Sequence, residues 1–257
     1  MSDAFAAYPS LSGMPVVISG GASGIGETLV REFAAQGAKV GFVDIARDAG
    51  ETLERELVEA GRTVAFVDCD VTDIEKYQRT IAGFAERHGP ALALLNNAAH
   101  DLRHKWHEVT PRFWDERIAV NLKHAFFAAQ AVAPGMIAAG KGSIVNFGSI
   151  SWMIMVGELA AYTASKAAMH GMSRSLARDL GRHGVRVNTL VPGWVMTERQ
   201  LTHWVGEAEN KLIDDSQALR GRVHPIDIAR MALFLAADDS RMISGQDFVV
   251  DGGWAHG

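Results

Sequence analysis

The stretch Met14-Pro-Val-Val-Ile-Ser19 is a short β-branched run that stops at Gly20-Gly21-Ala-Ser-Gly24-Ile-Gly26. From Glu27 to Gln36 apolar residues then recur at helical spacing (Leu29, Val30, Phe33, Ala34), and Gly37 ends the run as a helix stop. Strand, glycine turn and helix in that order open a βαβ unit, which commits the chain to a parallel sheet. Glycines let backbone approach a phosphate, and the helix N-terminus behind them supplies free N–H groups and positive potential. The spacing is Gly-x-x-x-Gly-x-Gly, not the commoner Gly-x-Gly-x-x-Gly. Glycines in a tight βα turn serve structure as often as binding, so the rest of the chain must decide.

Lys39-Val-Gly-Phe-Val-Asp44 reads as the second strand, with its acid placed where a βαβ unit sets a carboxylate against an adenosine ribose. A carboxylate accepts from both ribose hydroxyls and repels a 2′-phosphate, which favours NAD over NADP. Arg47 nearby leaves room for NADP, and a loop or N-cap acid is the plainer alternative. Thr63-Val-Ala-Phe-Val-Asp68 leads to Cys69-Asp70-Val71-Thr72-Asp73, with Asp73 capping a helix to about His88. Ala91 to Leu95 is continuously apolar, as a strand buried on both faces should be, and ends in Asn96-Asn97-Ala98-Ala99. Pro111 begins one long helical region to about Ala139. Asn121 inside it needs partners: it is either structural or holds a water beside a site. A helix from Glu158 to His183, a strand from Arg186 to Val191, a helix from Pro225 to Ala237 and a strand from Gln246 to Val250 complete the pattern. Residues 198–222 are polar and weakly periodic, which suits a mobile lid at about 197–222. Seven strands alternating with helices predict an α/β fold: a single Rossmann-type, doubly wound seven-stranded parallel sheet with helices on both faces, one domain over 1–257.

Composition narrows the classes of function. A hydrophobic fraction of 48% supports a sizeable core, and a net charge of −5 gives no electrostatic reason to expect nucleic acid or an anionic membrane. A single cysteine, Cys69, excludes an intrachain disulfide and a cysteine-rich metal site. The ten histidines are scattered, and His100, His104 and His107 read as loop residues, so no metal is expected. Met1 to Pro9 lacks the basic start and apolar core of a leader, and the most apolar helix, Ala125 to Ala139, is too short to span a bilayer. The expectation is a soluble, cytoplasmic protein.

The chemistry concentrates between Ser149 and Lys166. Tyr162 and Lys166 lie four residues apart, one turn of helix, on one face. A cation held beside a phenol favours the phenolate, so Tyr162 could act as a base below its ordinary pKa. Ser149 follows the strand-like Ser143-Ile-Val-Asn-Phe-Gly, a hydroxyl at a strand end facing a helix that carries a base. An isolated Tyr-x-x-x-Lys is usually only a surface pair on a helix.

Taken together, Gly20-x-x-x-Gly24-Ile-Gly26, Asn96-Asn-Ala, Asn121, Ser149, Tyr162-x-x-x-Lys166, Pro192-Gly193 and Val250-Asp-Gly-Gly253 resemble the motifs of the short-chain dehydrogenase/reductase family, in order and spacing over nearly the whole chain. The resemblance implies Tyr162 as general acid/base, Lys166 lowering its pKa and touching the nicotinamide ribose, Ser149 hydrogen-bonding the reacting hydroxyl, and Asn121 holding a relay water. It implies an NAD site of Gly20, Ser23, Gly24, Ile25, Gly26, Asp44, Asp70, Val71, Asn97, Ala98, Tyr162, Lys166, Pro192, Gly193, Val195 and Thr197. It also implies a homotetramer built through helices at about 111–138 and 157–182. Ser19 replaces the family's usual Thr, and Ala99 replaces a Gly, which puts the local loop geometry in doubt.

Loops choose substrates. The segments His100 to Lys105, Asn146 to Trp152, Ala133-Pro-Gly-Met and Gly221-Arg-Val are similar to those of bacterial aldose 1-dehydrogenases of the D-xylose type. That likeness implies NAD-linked oxidation of the anomeric hydroxyl of a pentose or related sugar (D-xylose, L-arabinose, D-galactose, L-fucose) to a lactone. Candidate sugar contacts are Ser149, Asn146, Ser151, Trp152, Asp101, His104, Tyr162 and Trp194. Dehydrogenation or reduction of a 3-oxoacyl thioester, polyol or steroid is the alternative. A non-catalytic NAD-binding regulator is disfavoured, since it would have no need of the base.

Overall fold

The computed structural model describes residues 5–255. Met1 to Ala4, the start of the stretch read for a leader, lie outside the described residues. The chain alternates as expected: β1 (Pro15–Ser19), α1 (Gly24–Ala35), β2 (Lys39–Asp44), α2 (Arg47–Glu59), β3 (Val64–Asp68), α3 (Ile74–His88) and β4 (Ala93–Asn96). It continues through α4 (Pro111–Ile118), α5 (His124–Ala139), β5 (Gly142–Phe147), α6 (Ala160–Leu180), β6 (Val185–Pro192), α7 (Glu198–His203), α8 (Glu207–Ser216), α9 (Pro225–Ala236) and β7 (Asp247–Val250).

The seven strands form one parallel sheet in the order β3-β2-β1-β4-β5-β6-β7. Side chains alternate across a strand, so β1 feeds both faces. Val16 and Ile18 join Leu29 and Phe33 of α1 and Ile228 and Leu235 of α9, while Val17 meets Tyr77 and Phe84 of α3 and Val132 of α5. Strands buried on both faces explain the continuous apolar runs of the sequence. The order reverses between β1 and β4, where a crevice opens at the carboxyl ends of the strands.

One expectation changes. The region from Pro111 to Ala139 is not one regular helix: a π-helical turn, Ala119–Lys123, separates α4 from α5. The buried side chain of Asn121 lies in this turn. Its Oδ1 accepts from His100 N–H at 2.8 Å, and its Nδ2 donates to the carbonyls of Arg117 (3.0 Å) and His100 (3.2 Å). Residues 198–222, polar and weakly periodic in sequence, carry two short helices. Thr197 caps α7 by accepting from Gln200 N–H, and α8 follows. A bridge between Val195 and Val223, with Met196 N–H donating to Val223 carbonyl at 2.8 Å, brings the two ends of this excursion together.

Among the described residues no helix is long and apolar enough to cross a membrane. No group of three or more His, Cys, Asp or Glu among them is placed to hold a metal.

Candidate active site

The crevice holds two adjoining hollows. One, of about 1230 Å³, runs over the glycine turn and the ends of β2 and β3; the other, of about 800 Å³, surrounds Ser149 and Tyr162.

The first hollow has the cradle of a dinucleotide site. Gly20 has φ +67°, open to glycine at no steric cost, and a Cβ there would come within 2.8 Å of Ala98 Cα. A Cβ on Gly26 would lie 1.7 Å from the Gly20 carbonyl, so only glycine lets the turn fold this tightly. Ser23, the N-cap of α1, makes no side-chain capping bond, leaving the first N–H groups of the helix for an anion. Asn97 Nδ2 staples the turn to the sheet by donating to the carbonyls of Ser19 (3.1 Å) and Gly20 (2.9 Å). Ser19 Oγ accepts from the Asn97 and Ala98 N–H groups, so serine serves where the family usually carries Thr. Asp44 at the end of β2 is held by the N–H groups of Ala22 (2.9 Å) and Ala46 (3.0 Å). Asp70 is pinned by Thr72, and Val71 is buried beside it. Gly24, Ile25, Ala98 and Thr197 also line this hollow, whereas Pro192, Gly193 and Val195 line the second. Glu158 is the one non-glycine residue with positive φ among the described residues, so Ala99 takes its place, exposed, without backbone strain.

The residues of this hollow suit a nicotinamide dinucleotide. The glycine turn and the start of α1 would hold the pyrophosphate, and Asp44 the adenosine ribose. Tyr162 and Lys166 stand at the far end.

In the second hollow, Ser149 follows the end of β5 and Tyr162 lies in the first turn of α6. The Ser149 hydroxyl accepts from Ser151 N–H at 3.1 Å and lies within hydrogen-bond reach of the Tyr162 phenol. Lys166 is buried; its Nζ donates to the Phe147 carbonyl at 2.7 Å and lies 5.7 Å from the centre of the Tyr162 ring. The expected depression of Tyr162 by Lys166 is not what these surroundings produce. Burial pushes the phenol up to about 12, against the opposing hydrogen bond with Ser149. Burial also pushes Lys166 down to about 7, partly offset by Asp101. The reason is desolvation: the ammonium is itself buried beneath the phenol it was expected to acidify, so its own charge is suppressed.

Of the other predicted contacts, Asp101, Ser151 and Trp194 line the cleft. Asp101 is paired with Arg199 at 3.0 Å and accepts from Gln200 Nε2 at 3.0 Å, while Gln200 Oε1 accepts from Trp194 Nε1. The Ser151 hydroxyl is buried in the cleft wall without a hydrogen-bond partner. Three candidates stand elsewhere. Asn146 is wholly buried within β5, accepting from Asn96 at 2.8 Å and donating to Ser173 at 2.9 Å. Strand alternation turns it into the sheet interior rather than towards Tyr162. His104 holds a neighbouring loop, accepting from Ala161 N–H at the start of α6. Trp152 turns its indole to His170. Asn121 touches neither hollow, its amide being consumed by His100 and Arg117. Sequence reasoning missed Trp254, Glu209 and Leu212, which complete the cleft wall from the last residues and from α8. Nothing in their spacing connects them to Tyr162; only the fold does.

Comparison with known proteins agrees with this geometry. A family model described as enoyl-(acyl carrier protein) reductase matches residues 20–255. The chain is 45% identical over 249 residues to D-xylose 1-dehydrogenase of Caulobacter vibrioides, covering 97% of this chain and 98% of that one. It is 39% identical to a probable galactose dehydrogenase of Rhizobium meliloti, covering 96% of each. Among solved structures, a gluconate 5-dehydrogenase of Burkholderia cenocepacia in complex with NADP and tartrate superposes with a TM-score of 0.90 at 29% identity, covering 97% of this chain and 98% of that one. A glycine cradle beside a serine and a tyrosine–lysine helix, on a sheet of this order and with relatives of this likeness along its whole length, leaves one assignment: the chain belongs to the short-chain dehydrogenase/reductase family, oxidoreductases that bind a nicotinamide cofactor.

Proposed function

We propose that the protein is an NAD-dependent aldose 1-dehydrogenase, oxidising the anomeric hydroxyl of a pentose or related sugar to the lactone. The observation that carries this reading is the wall of the cleft around Tyr162. Asp101, Ser151, Gln200 and Glu209 offer hydrogen-bonding groups, and Trp194 and Trp254, with ring centres 6.2 Å apart, offer aromatic faces. Several polar groups beside a flat apolar wall suit a ring with hydroxyls, and each unpaired contact discriminates strongly between sugars. The likeness to D-xylose 1-dehydrogenase and to a probable galactose dehydrogenase supports the same class.

Tyr162, as phenolate, takes the proton of the anomeric hydroxyl, and the Ser149 hydroxyl donates a hydrogen bond to the same oxygen, aligning its carbon. The nicotinamide supplies the hydride acceptor. Lys166, held by the Phe147 carbonyl, stands on the same helical face as Tyr162, where its family role would bring it to the nicotinamide ribose. Asp44 supports NAD over NADP, because its carboxylate would oppose a 2′-phosphate, and Arg47 is engaged by Glu51 at 2.9 Å on its own helix. The protein acts, on this reading, in the cytoplasm as a tetramer joined through α4–α5 and α6, with residues 197–222 covering the substrate.

A second reading has an observation of its own: Ile154, Met155, Val156 and Leu212 form an apolar side of the cleft that would suit a longer substrate such as a 3-oxoacyl thioester. A screen of free aldoses with NAD and with NADP, following absorbance of the reduced cofactor, separates the two. Turnover of a pentose with NAD is expected. Turnover of ketones or secondary alcohols with none on any sugar would overturn the proposal. Light scattering tests the tetramer.

A further inference from the structure

Trp152 stands three residues after Ser149, on the turn Ile150–Trp152, but its indole leaves the cleft. The indole N–H donates to His170 Nε2 at 2.9 Å, with the rings edge to face 4.8 Å apart. His170 is buried on α6, four residues past Lys166. A neutral imidazole that accepts at Nε2 carries its proton on Nδ1. That nitrogen lies 2.9 Å from Asp247 Oδ1 on β7, and Arg174 closes on the other carboxylate oxygen at 2.7 Å. Arg174, Asp247, His170 and Trp152 therefore form one continuous polar chain from the edge of the sheet to the loop that carries Ser149. His170 and Asp247 are the mostly buried middle of this chain, and their Nδ1 and Oδ1 meet as a close contact outside hydrogen-bond geometry, while Arg174 and Trp152 at its ends are partly exposed.

The near end of the chain reaches the chemistry. The turn that Trp152 closes also presents Ser151 N–H to Ser149 Oγ at 3.1 Å, so this amide occupies one side of the serine oxygen beside Tyr162. Gly148 packs directly on the imidazole: a Cβ there would lie 3.1 Å from His170 Nε2. The loop is thus seated on His170 at two points, one on either side of Ser149.

We infer that His170, oriented by Asp247, is a positioning residue for Ser149: through Trp152 it fixes the turn whose Ser151 amide sets the direction of the serine hydroxyl. The inference rests on Ser149 acting on the reacting oxygen and is independent of which alcohol is oxidised. Trp152→Phe, His170→Leu and the double variant test it, assayed with any substrate that the parent turns over. A misdirected hydroxyl should lower kcat about tenfold in each single variant, leave the cofactor Kd unchanged, and lower kcat no further in the double variant, because both changes cut one chain. Trp152 is 40% exposed, so its variant folds even if His170→Leu does not. Labelling the six tryptophans with 15N gives a readout without substrate. The indole signal missing from Trp152→Phe should shift in Asp247→Asn. A fall in kcat of less than about threefold in Trp152→Phe, losses that multiply in the double variant, an equal loss of cofactor affinity, or an unmoved indole signal would each overturn the inference. Failure of the sugar reading alone would show in the aldose screen and leave these outcomes unchanged.

Discussion

Tyr162 and Lys166 show how far a pairing visible in sequence can differ from its electrostatics in place. The spacing of four residues sets them on one helical face. Their pKa values are set by burial, which spacing does not encode: the phenol rises to about 12 and the ammonium falls to about 7. The sign for activity follows. On the proposed reading Tyr162 is the base; held mainly as phenol, it gains its active form as pH rises, so oxidation should accelerate through the alkaline range. Tyr162→Phe should reduce kcat by ~10²–10⁴, the usual share of general acid–base catalysis, with cofactor affinity nearly unchanged. Stopped-flow turnover with a fluorescence titration of the reduced cofactor checks both. Gly26 offers the complementary case, in which sequence and structure agree. Gly26→Ala places a methyl against the Gly20 carbonyl and should weaken cofactor binding by about tenfold or more, ~1.4 kcal/mol, measurable by calorimetry.

At the level of elements, the β-branched runs and the glycine turn made β1, α1 and β2 legible, because each depends on near neighbours. The break between α4 and α5 was not legible. Asn121 bonds to His100, which reaches it only once β4 and its loop are placed. The same holds for Asn146, whose partners Asn96 and Ser173 come from β4 and α6. Two predictions belong here. The loop after β4 grips α7 through Asp101 with Arg199 and Gln200, and through Arg103 stacked 4.5 Å over Trp204. The ion pair is partly exposed and so is worth at most ~1 kcal/mol. Asp101→Asn should raise the substrate KM by no more than about fivefold. It should also move the alkaline limb of the pH profile to lower pH, because Asp101 opposes ionisation of Tyr162. Buried His124, in α5 beside the π turn, donates to the Ala98 carbonyl and is pushed down to about 4 by burial, with Lys166 adding to the shift. The unfolded chain binds that proton near 6.5, so stability should be lost as pH falls from 6.5 towards 4. His124→Gln should flatten that limb of a denaturation-midpoint profile.

Across the whole molecule, the sheet order gathers the cleft residues at the carboxyl ends of the strands, β1 to β6, while the amino ends carry none of them. The alternation of strand and helix was sufficient to foresee this architecture. The walls of the cleft were not foreseeable, since Glu209, Leu212 and Trp254 come from remote parts of the chain. The meeting of Val195 and Val223 has a wider consequence. Because the ends of residues 196–222 already touch, the segment leaves and returns at one point and can be exchanged without reopening the sheet. Grafting the corresponding segment of a galactose-oxidising relative between these two valines should transfer sugar preference while leaving the melting temperature within a few degrees, about 1 kcal/mol. Parallel turnover assays and calorimetric scans of the chimaera would measure it. On this geometry an exchange leaves Ser149, Tyr162 and Lys166 in place, provided the new segment keeps Thr197 at the cofactor hollow and Arg199 and Gln200 on Asp101.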